Sequence, residues 1–146
     1  MEIDAQAPLN ARKDVIVAAS PEAVWTALTG IERWPEWQSD VSSVSVTGPL
    51  ALGTVFHWRA KGLAITSTIE SFEPHRRVGW TGRSLGMRAI HLWTLGPKGD
   101  GTRVTTEESL SGWMARILKL LNPTFLEQSL VQSLQALKHY VEQRTG

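Results

Sequence analysis

No cysteine occurs among the 146 residues of this sequence. That excludes disulfides, thiolate nucleophiles and cysteine-based zinc sites, and it fits a reducing compartment, so a cytoplasmic location is the expectation. A run of one charge sign is lacking as well. Fifteen basic and fourteen acidic residues leave a formal net charge of +1, without the basic stripe of a nucleic-acid binder, so nucleic acid is not an expected partner. Nowhere do about 18 consecutive apolar residues appear, which argues against membrane insertion. The opening MEIDAQAPLN has neither the charged start nor the apolar core of a signal peptide. His57, His75, His91 and His139 show none of the i, i+2 or i, i+4 spacings that gather metal ligands. There is no Gly-x-Ser-x-Gly elbow, and GPKGDG (Gly96 to Gly101) is not followed by a Lys-Ser/Thr pair opening a helix, so it reads as a turn. The expected cofactor set and metal set are both none.

Tyrosine and phenylalanine are scarce, at one and three residues, whereas tryptophan occurs seven times. Indole offers a flat apolar wall with a single hydrogen-bond donor, which suits either core packing or a ring-shaped ligand. With 42% apolar residues the chain fits one domain over 1–146. A domain of this size buries roughly 68 to 70% of its unfolded surface, enough for a core and a cavity.

The richest stretch is SPEAVWTALTGIERWPEW, Ser20 to Trp37. Ser20 can cap a helix, Pro21 suits its first position, and Glu22 complements the dipole. Val24, Ala27, Leu28 and Ile31 form an apolar stripe, and Gly30 is a candidate left-handed terminator. Pro35 disfavours helical geometry at Trp34, so a second helix is short. Before it, DVIVAA within Leu9 to Ala19 reads as a strand. After it, Gly and Pro punctuate six further strands: Val41 to Val46, Thr54 to Ala60, Leu63 to Phe72, Arg77 to Gly82, Met87 to Leu95 and Thr102 to Leu110. From Trp113 to Gln143 the period becomes helical, with Leu126, Leu130, Leu134, Leu137 and Val141 on one stripe and a break expected near Asn122, ahead of Pro123. The order is β-α-α-β6-α, an α+β fold: an antiparallel meander curved round a long helix only about 10 to 12 Å across, with a hollow between.

Alternation assigns faces. Phe56 and Trp58, then Ile65, Ser67 and Ile69, then Val78, Trp80 and Gly82 turn inward. In the next strand Met87, Ala89, His91, Trp93 and Leu95 are taken as inward, leaving Ile90 and Leu92 as an outward apolar pair that could serve docking or a homodimer. In the last strand Val104, Thr106, Glu108 and Leu110 form the more apolar set. The candidate cavity is therefore Phe56, Trp58, Ile65, Trp80, Met87, His91, Trp93, Thr106 and Glu108, completed by Leu121 and Phe125 from the closing helix. Trp25, Trp34 and Trp37, on or beside the short helices, are expected in the core. His91 and Glu108 are the candidate catalytic pair, because adjacent strands of one hairpin could bring imidazole and carboxylate together for acid–base work. The same pair could instead orient the hairpin, or Glu108 could sit at a wet rim. Burial would raise the carboxyl pKa and a charged His91 would lower it.

With this order, the segments SPEAVWTALTGIERWPEW, ESFEPHRRVGWTG (Glu70 to Gly82) and HLWTLGPKGDGTRVTTEE (His91 to Glu108) make the chain resemble the START-like, helix-grip superfamily (SRPBCC) over nearly its whole length. That superfamily includes polyketide cyclases and dehydratases, lipid-transfer domains and birch-pollen-allergen-like proteins. The resemblance implies a curved seven-stranded sheet gripping a C-terminal helix, an internal cavity and an apolar ligand, and no single reaction. Three functions follow: binding or transport of a small hydrophobic or aromatic molecule, a cyclase or dehydratase using His91 and Glu108, and a protein-interaction module.

Overall fold

After β1 (Leu9–Val17) the chain leaves the sheet, and this detour sets the architecture. The computed structural model describes residues 1–145. Two short helices, α1 (Pro21–Thr29) and α2 (Trp34–Trp37), separated by a 3-10 turn over Ile31–Arg33, carry the chain to the far edge. There β2 (Val41–Val46), β3 (Val55–Ala60), β4 (Leu63–Glu73), β5 (Arg77–Ser84), β6 (Met87–Lys98) and β7 (Gly101–Ser111) run as a meander back to β1. The result is one antiparallel seven-stranded sheet in the order β1-β7-β6-β5-β4-β3-β2. Irregularities between Val41 and Ser43 and between Ile69 and Ser71 shift the register locally, and such bulges bend the strands that carry them.

Local chemistry explains the detour. Ser20 Oγ accepts from the Ala23 amide at 3.2 Å, with Pro21 in the first turn. Gly30 does close the helix, its N–H reaching Thr26 O, but at φ −77° it is not left-handed. A Cβ there would lie 3.0 Å from Thr26 O, so room rather than handedness is what glycine supplies. Trp34 also departs from expectation, since it is helical (φ −51°, ψ −38°) despite the following Pro35. Pro35 falls in the first turn of α2, where its missing N–H costs no hydrogen bond. Trp34 donates from Nε1 to Leu28 O at 3.0 Å and meets the rings of Phe56, Trp58 and Trp80 at 5.3 to 5.8 Å. The detour is thereby nailed to the concave face of the sheet.

The closing segment is two helices, α3 (Trp113–Leu121) and α4 (Phe125–Thr145), broken at the expected place. Leu126, Leu130, Leu134, Leu137 and Val141 are all buried along one face of α4. The C-terminal half of α4 is clamped to β1: Glu142 Oε2 accepts from the Ala18 amide and from Lys138 Nζ, both at 2.7 Å, and Lys138 Nζ donates to Ile16 O at 2.7 Å. Hydrogen bonding to Lys138 and to the Ala18 amide holds the Glu142 carboxyl below its ordinary value.

The buried apolar side chains fall into two clusters. A large one is built around Trp34, Phe56, Trp80, Trp93 and Leu137; a smaller one gathers Leu9, Ala11, Leu110, Ala115, Leu126 and Leu130. On the convex face, the outward pair Ile90 and Leu92 is not the exposed patch expected. Leu92 is only 2% exposed, because the N-terminal segment lies over this face. The Asp4 amide donates to Ser109 Oγ at 3.0 Å, and a Cβ at Gly79 would strike both Met1 Sδ and Leu92 Cδ1.

Candidate functional site

At the seam between the two clusters, where neither fills the space under α4, the fold leaves a hollow of two adjoining lobes. The larger, about 140 Å³, lies among Trp58, Ile65, Met87, His91, Glu108 and Phe125. The smaller, about 90 Å³, shares Trp58, Ile65, Met87 and Glu108 and adds Trp80. A roomier groove of about 440 Å³ runs between α1 and α4, over Ala23, Ala27, Arg33, Tyr140 and Arg144. It is open to solvent along the helices, whereas the sheet–helix hollow encloses the buried His91 and the partly buried Glu108 and is the candidate site.

The register aligns its polar centre. Trp80 on β5 stands opposite His91 on β6, which stands opposite Glu108 on β7. Residues directly opposed in an antiparallel ladder share a face, so all three turn toward α4. His91 sits between two indoles, its ring 5.1 Å from that of Trp80 and stacked at 5.4 Å on Trp93. Its Nε2 is 2.8 Å from Thr106 Oγ1, and its Nδ1 is 3.6 Å from Glu108 Oε2, close but beyond a good hydrogen bond. Burial pushes the two groups apart: His91 falls from 6.5 to about 3, and Glu108 rises from 4.5 to about 8, with the Lys61 charge opposing that rise. Near neutral pH the pair is an uncharged imidazole facing an uncharged carboxyl, and desolvation, not ion pairing, governs it.

Of the other expected wall residues, Phe56, Trp93 and Thr106 are fully buried behind the lining rather than on it: Phe56 edges against Trp34 and Trp80, Trp93 backs His91, and Thr106 fixes the His91 ring. Leu121 is not a cavity residue. It is 77% exposed at the end of α3, because the phase of that helix sets it on the outer face with Trp113, Ile117 and Leu120, while Ala115 and Leu118 take the inward positions. Trp58 carries an anchor, its Nε1 donating to Ser67 Oγ at 3.0 Å.

The mouth is made of residues that no alternation rule picks out. Gln38 and Asp40 before β2, Lys61 at the β3–β4 turn, and Ser129 and Ser133 on α4 ring the larger lobe. Lys61 and Gly62 both have positive φ (51° and 78°), as a two-residue I′ hairpin turn requires. This turn aims the Lys61 ammonium back across the opening. It meets Asp40 Oδ2 at 2.6 Å and lies 5.4 Å from the centre of the Phe125 ring, while its amide donates to Asp40 O at 2.9 Å. Ala60 and Leu63 as strand ends locate such a turn in the sequence; its fold onto Asp40 and Phe125 is visible only in three dimensions.

A strongly curved antiparallel sheet closed over a C-terminal helix, with an apolar hollow between them, defines the START-like, helix-grip class. The chain belongs to the family described as polyketide cyclase / dehydrase and lipid transport, whose pattern it matches over residues 8–142. No curated protein sequence matches it significantly. Among solved structures it is similar to a hypothetical protein from Helicobacter pylori (20% identity, 95% of this chain and 91% of that one, TM-score 0.85). It is also similar to the Zhui aromatase/cyclase from Streptomyces sp. R1128 (15%, 94% and 96%, TM-score 0.81) and to a START superfamily protein from Mycobacterium smegmatis (17%, 92% and 97%, TM-score 0.74). At these identities the likeness carries the fold and no specific activity. Among the described residues no helix is long and apolar enough to cross a membrane.

Proposed function

We propose that the protein binds and carries a small apolar or aromatic molecule in the hollow beneath α4, with an oxygen of that molecule hydrogen-bonded to Glu108. The observation that supports this best is the burial of His91 and Glu108, with the shifts it causes, in walls of Trp58, Trp80, Ile65 and Met87. A protonated carboxyl donates a hydrogen bond to a carbonyl or hydroxyl, and a neutral pair avoids confronting an apolar ligand with an uncompensated charge. The larger lobe, at about 140 Å³, is close in size to a dry cavity of roughly 150 Å³ that takes up benzene. One ring in that lobe, with a second ring or short chain in the smaller, is the ligand this volume accommodates.

Native mass spectrometry directly after purification identifies any retained molecule. Titration with one- and two-ring ketones, phenols and short acyl chains should raise the melting temperature, because ligand bound only to the folded state stabilises by about 2.7 kcal/mol at a hundredfold excess over Kd. Glu108→Ala should weaken binding about three- to tenfold, the worth of one hydrogen bond. A melting temperature and tryptophan emission indifferent to the whole panel would overturn the reading.

The same pair favours a second reading, a dehydratase or cyclase. An imidazole titrating near 3 is a weak base, so Glu108, titrating near 8, is the group suited to move protons at neutral pH. Its carboxyl would protonate a departing hydroxyl, and the resulting carboxylate would take the proton alpha to the carbonyl, releasing water and leaving a C=C bond. Turnover that is equal in the native protein, Glu108→Gln and His91→Ala would remove both residues from any mechanism. The weakness of His91 as a base is the reason binding leads.

A further inference from the structure

The least protected apolar surface lies on α3 and on the β5–β6 hairpin beside it. Trp113, Ile117, Leu120 and Leu121 recur at the spacing of one helix face, an arc on the order of 100°. That face points to water: Leu120 and Leu121 are 84% and 77% exposed, and Trp113 and Ile117 are exposed as well. The hairpin tip extends it, since the Trp113 indole packs on Gly86 and the adjacent Leu85 is 69% exposed. Meanwhile Ala115 and Leu118 face inward, into the cluster shared with Met87 and Phe125, so the helix is anchored while its outer stripe is bare.

The charges carried by α3 itself are all of one sign. Arg116 and Lys119 flank the stripe there, and Arg83 and Arg88 stand opposite each other on the hairpin. From residue 109 to residue 126 there is no acidic side chain. Among the described residues none of these four cations forms an ion pair, although Asp4 and Glu70 border the groove that holds Arg83 and Arg88.

The geometry points to α3 and the hairpin tip as a docking face for a lipid bilayer with anionic headgroups. Leucine and tryptophan enter the headgroup–acyl boundary while arginine and lysine meet the phosphates, the arrangement of an interfacial amphipathic helix. At nine residues α3 lies on the bilayer and does not span it. A second copy of this chain fits the face poorly, because a two-fold contact would set these cations against one another. The docked face is one side-chain layer from Met87 and Phe125, which line the hollow. Docking stands independently of the proposed ligand, and vesicle binding is measured without one.

The test is flotation of the full chain with vesicles of phosphatidylcholine alone and of phosphatidylcholine mixed with phosphatidylglycerol. The native protein should float with the anionic vesicles, less so at high salt. Leu120→Glu with Leu121→Glu should lower partitioning about tenfold or more, since two buried leucines are lost, with an unchanged melting temperature because both sites are exposed. Arg116→Gln and Lys119→Gln should each cost about fivefold on anionic vesicles and little on neutral ones. Absence of binding to either vesicle, or equal binding by the double leucine variant, overturns the proposal. So does a native dimer in sedimentation velocity that this variant abolishes, an outcome that assigns the face to a second copy.

Discussion

Raising the pH from 6.5 to 8 should cost this protein about 1–2 kcal/mol of folding stability, through Glu108. In the folded chain burial keeps that carboxyl protonated up to about 8, whereas the unfolded chain releases the proton near 4.5. Over this window the folded state holds the extra proton, so stability falls by up to about 1.4 kcal/mol per pH unit. Burial acts oppositely on His91, which protonates below 6.5 when unfolded and only near 3 when folded. There the unfolded state holds the extra proton, and stability rises with pH at a similar slope. Between 4.5 and 6.5 the two slopes cancel and stability is level; above 6.5 only the Glu108 slope remains, over about one and a half pH units. Since 17% of the Glu108 side chain stays accessible, the full slope is an upper bound. Urea denaturation followed by tryptophan emission, at fixed ionic strength across this range, measures the effect. Glu108→Gln removes the titration at nearly constant shape and should stay level above pH 6.5. An equal fall in the variant, or no fall in the native protein, would refute the assignment. The acid side is less selective, because Glu142, held low by its hydrogen bonds, also loses its contribution as pH falls.

Three further outcomes follow from the packing. Trp34→Ala should destabilise by about 3–5 kcal/mol in chemical denaturation, since it removes a fully buried indole on which three aromatic rings converge. Asp40→Ala releases Lys61 from the mouth. With both side chains partly exposed, stability should change by no more than about 1 kcal/mol, while ligand association and dissociation measured by stopped flow should both accelerate. Hydrogen exchange should be fastest at residues 122–124 and slowest over Leu134 to Val141, where the bonds from Lys138 and Glu142 clamp the helix; uniform protection from Trp113 to Val141 would argue against a hinge at the break.

Much of the fold was legible because it rests on local rules. Strand alternation marked Phe56, Trp58 and Trp80 as inward, the α4 stripe was periodic, and Pro123 announced its break. Rules of period two and 3.6 have no depth, however, so they put Trp93 and Phe56 on the cavity wall when both lie behind it. They carried Leu121 inward although the phase of α3 turns it to water, and left Leu92 bare beneath a segment that returns from the N-terminus. The mouth was hidden for the same reason: Asp40 and Lys61 are 21 residues apart, and only the curl of the β3–β4 turn joins them.

What the sequence by itself determined is the order of elements, the faces of β3 to β7 and the candidate pairing of His91 with Glu108 across one hairpin, since each depends on neighbours a few residues away. Only the tertiary structure decided that this pair is shielded enough for burial to push the two proton affinities apart. The proton affinities of both groups follow from how much water the α4 cover excludes, a property of the closed sheet–helix hollow that no single strand possesses.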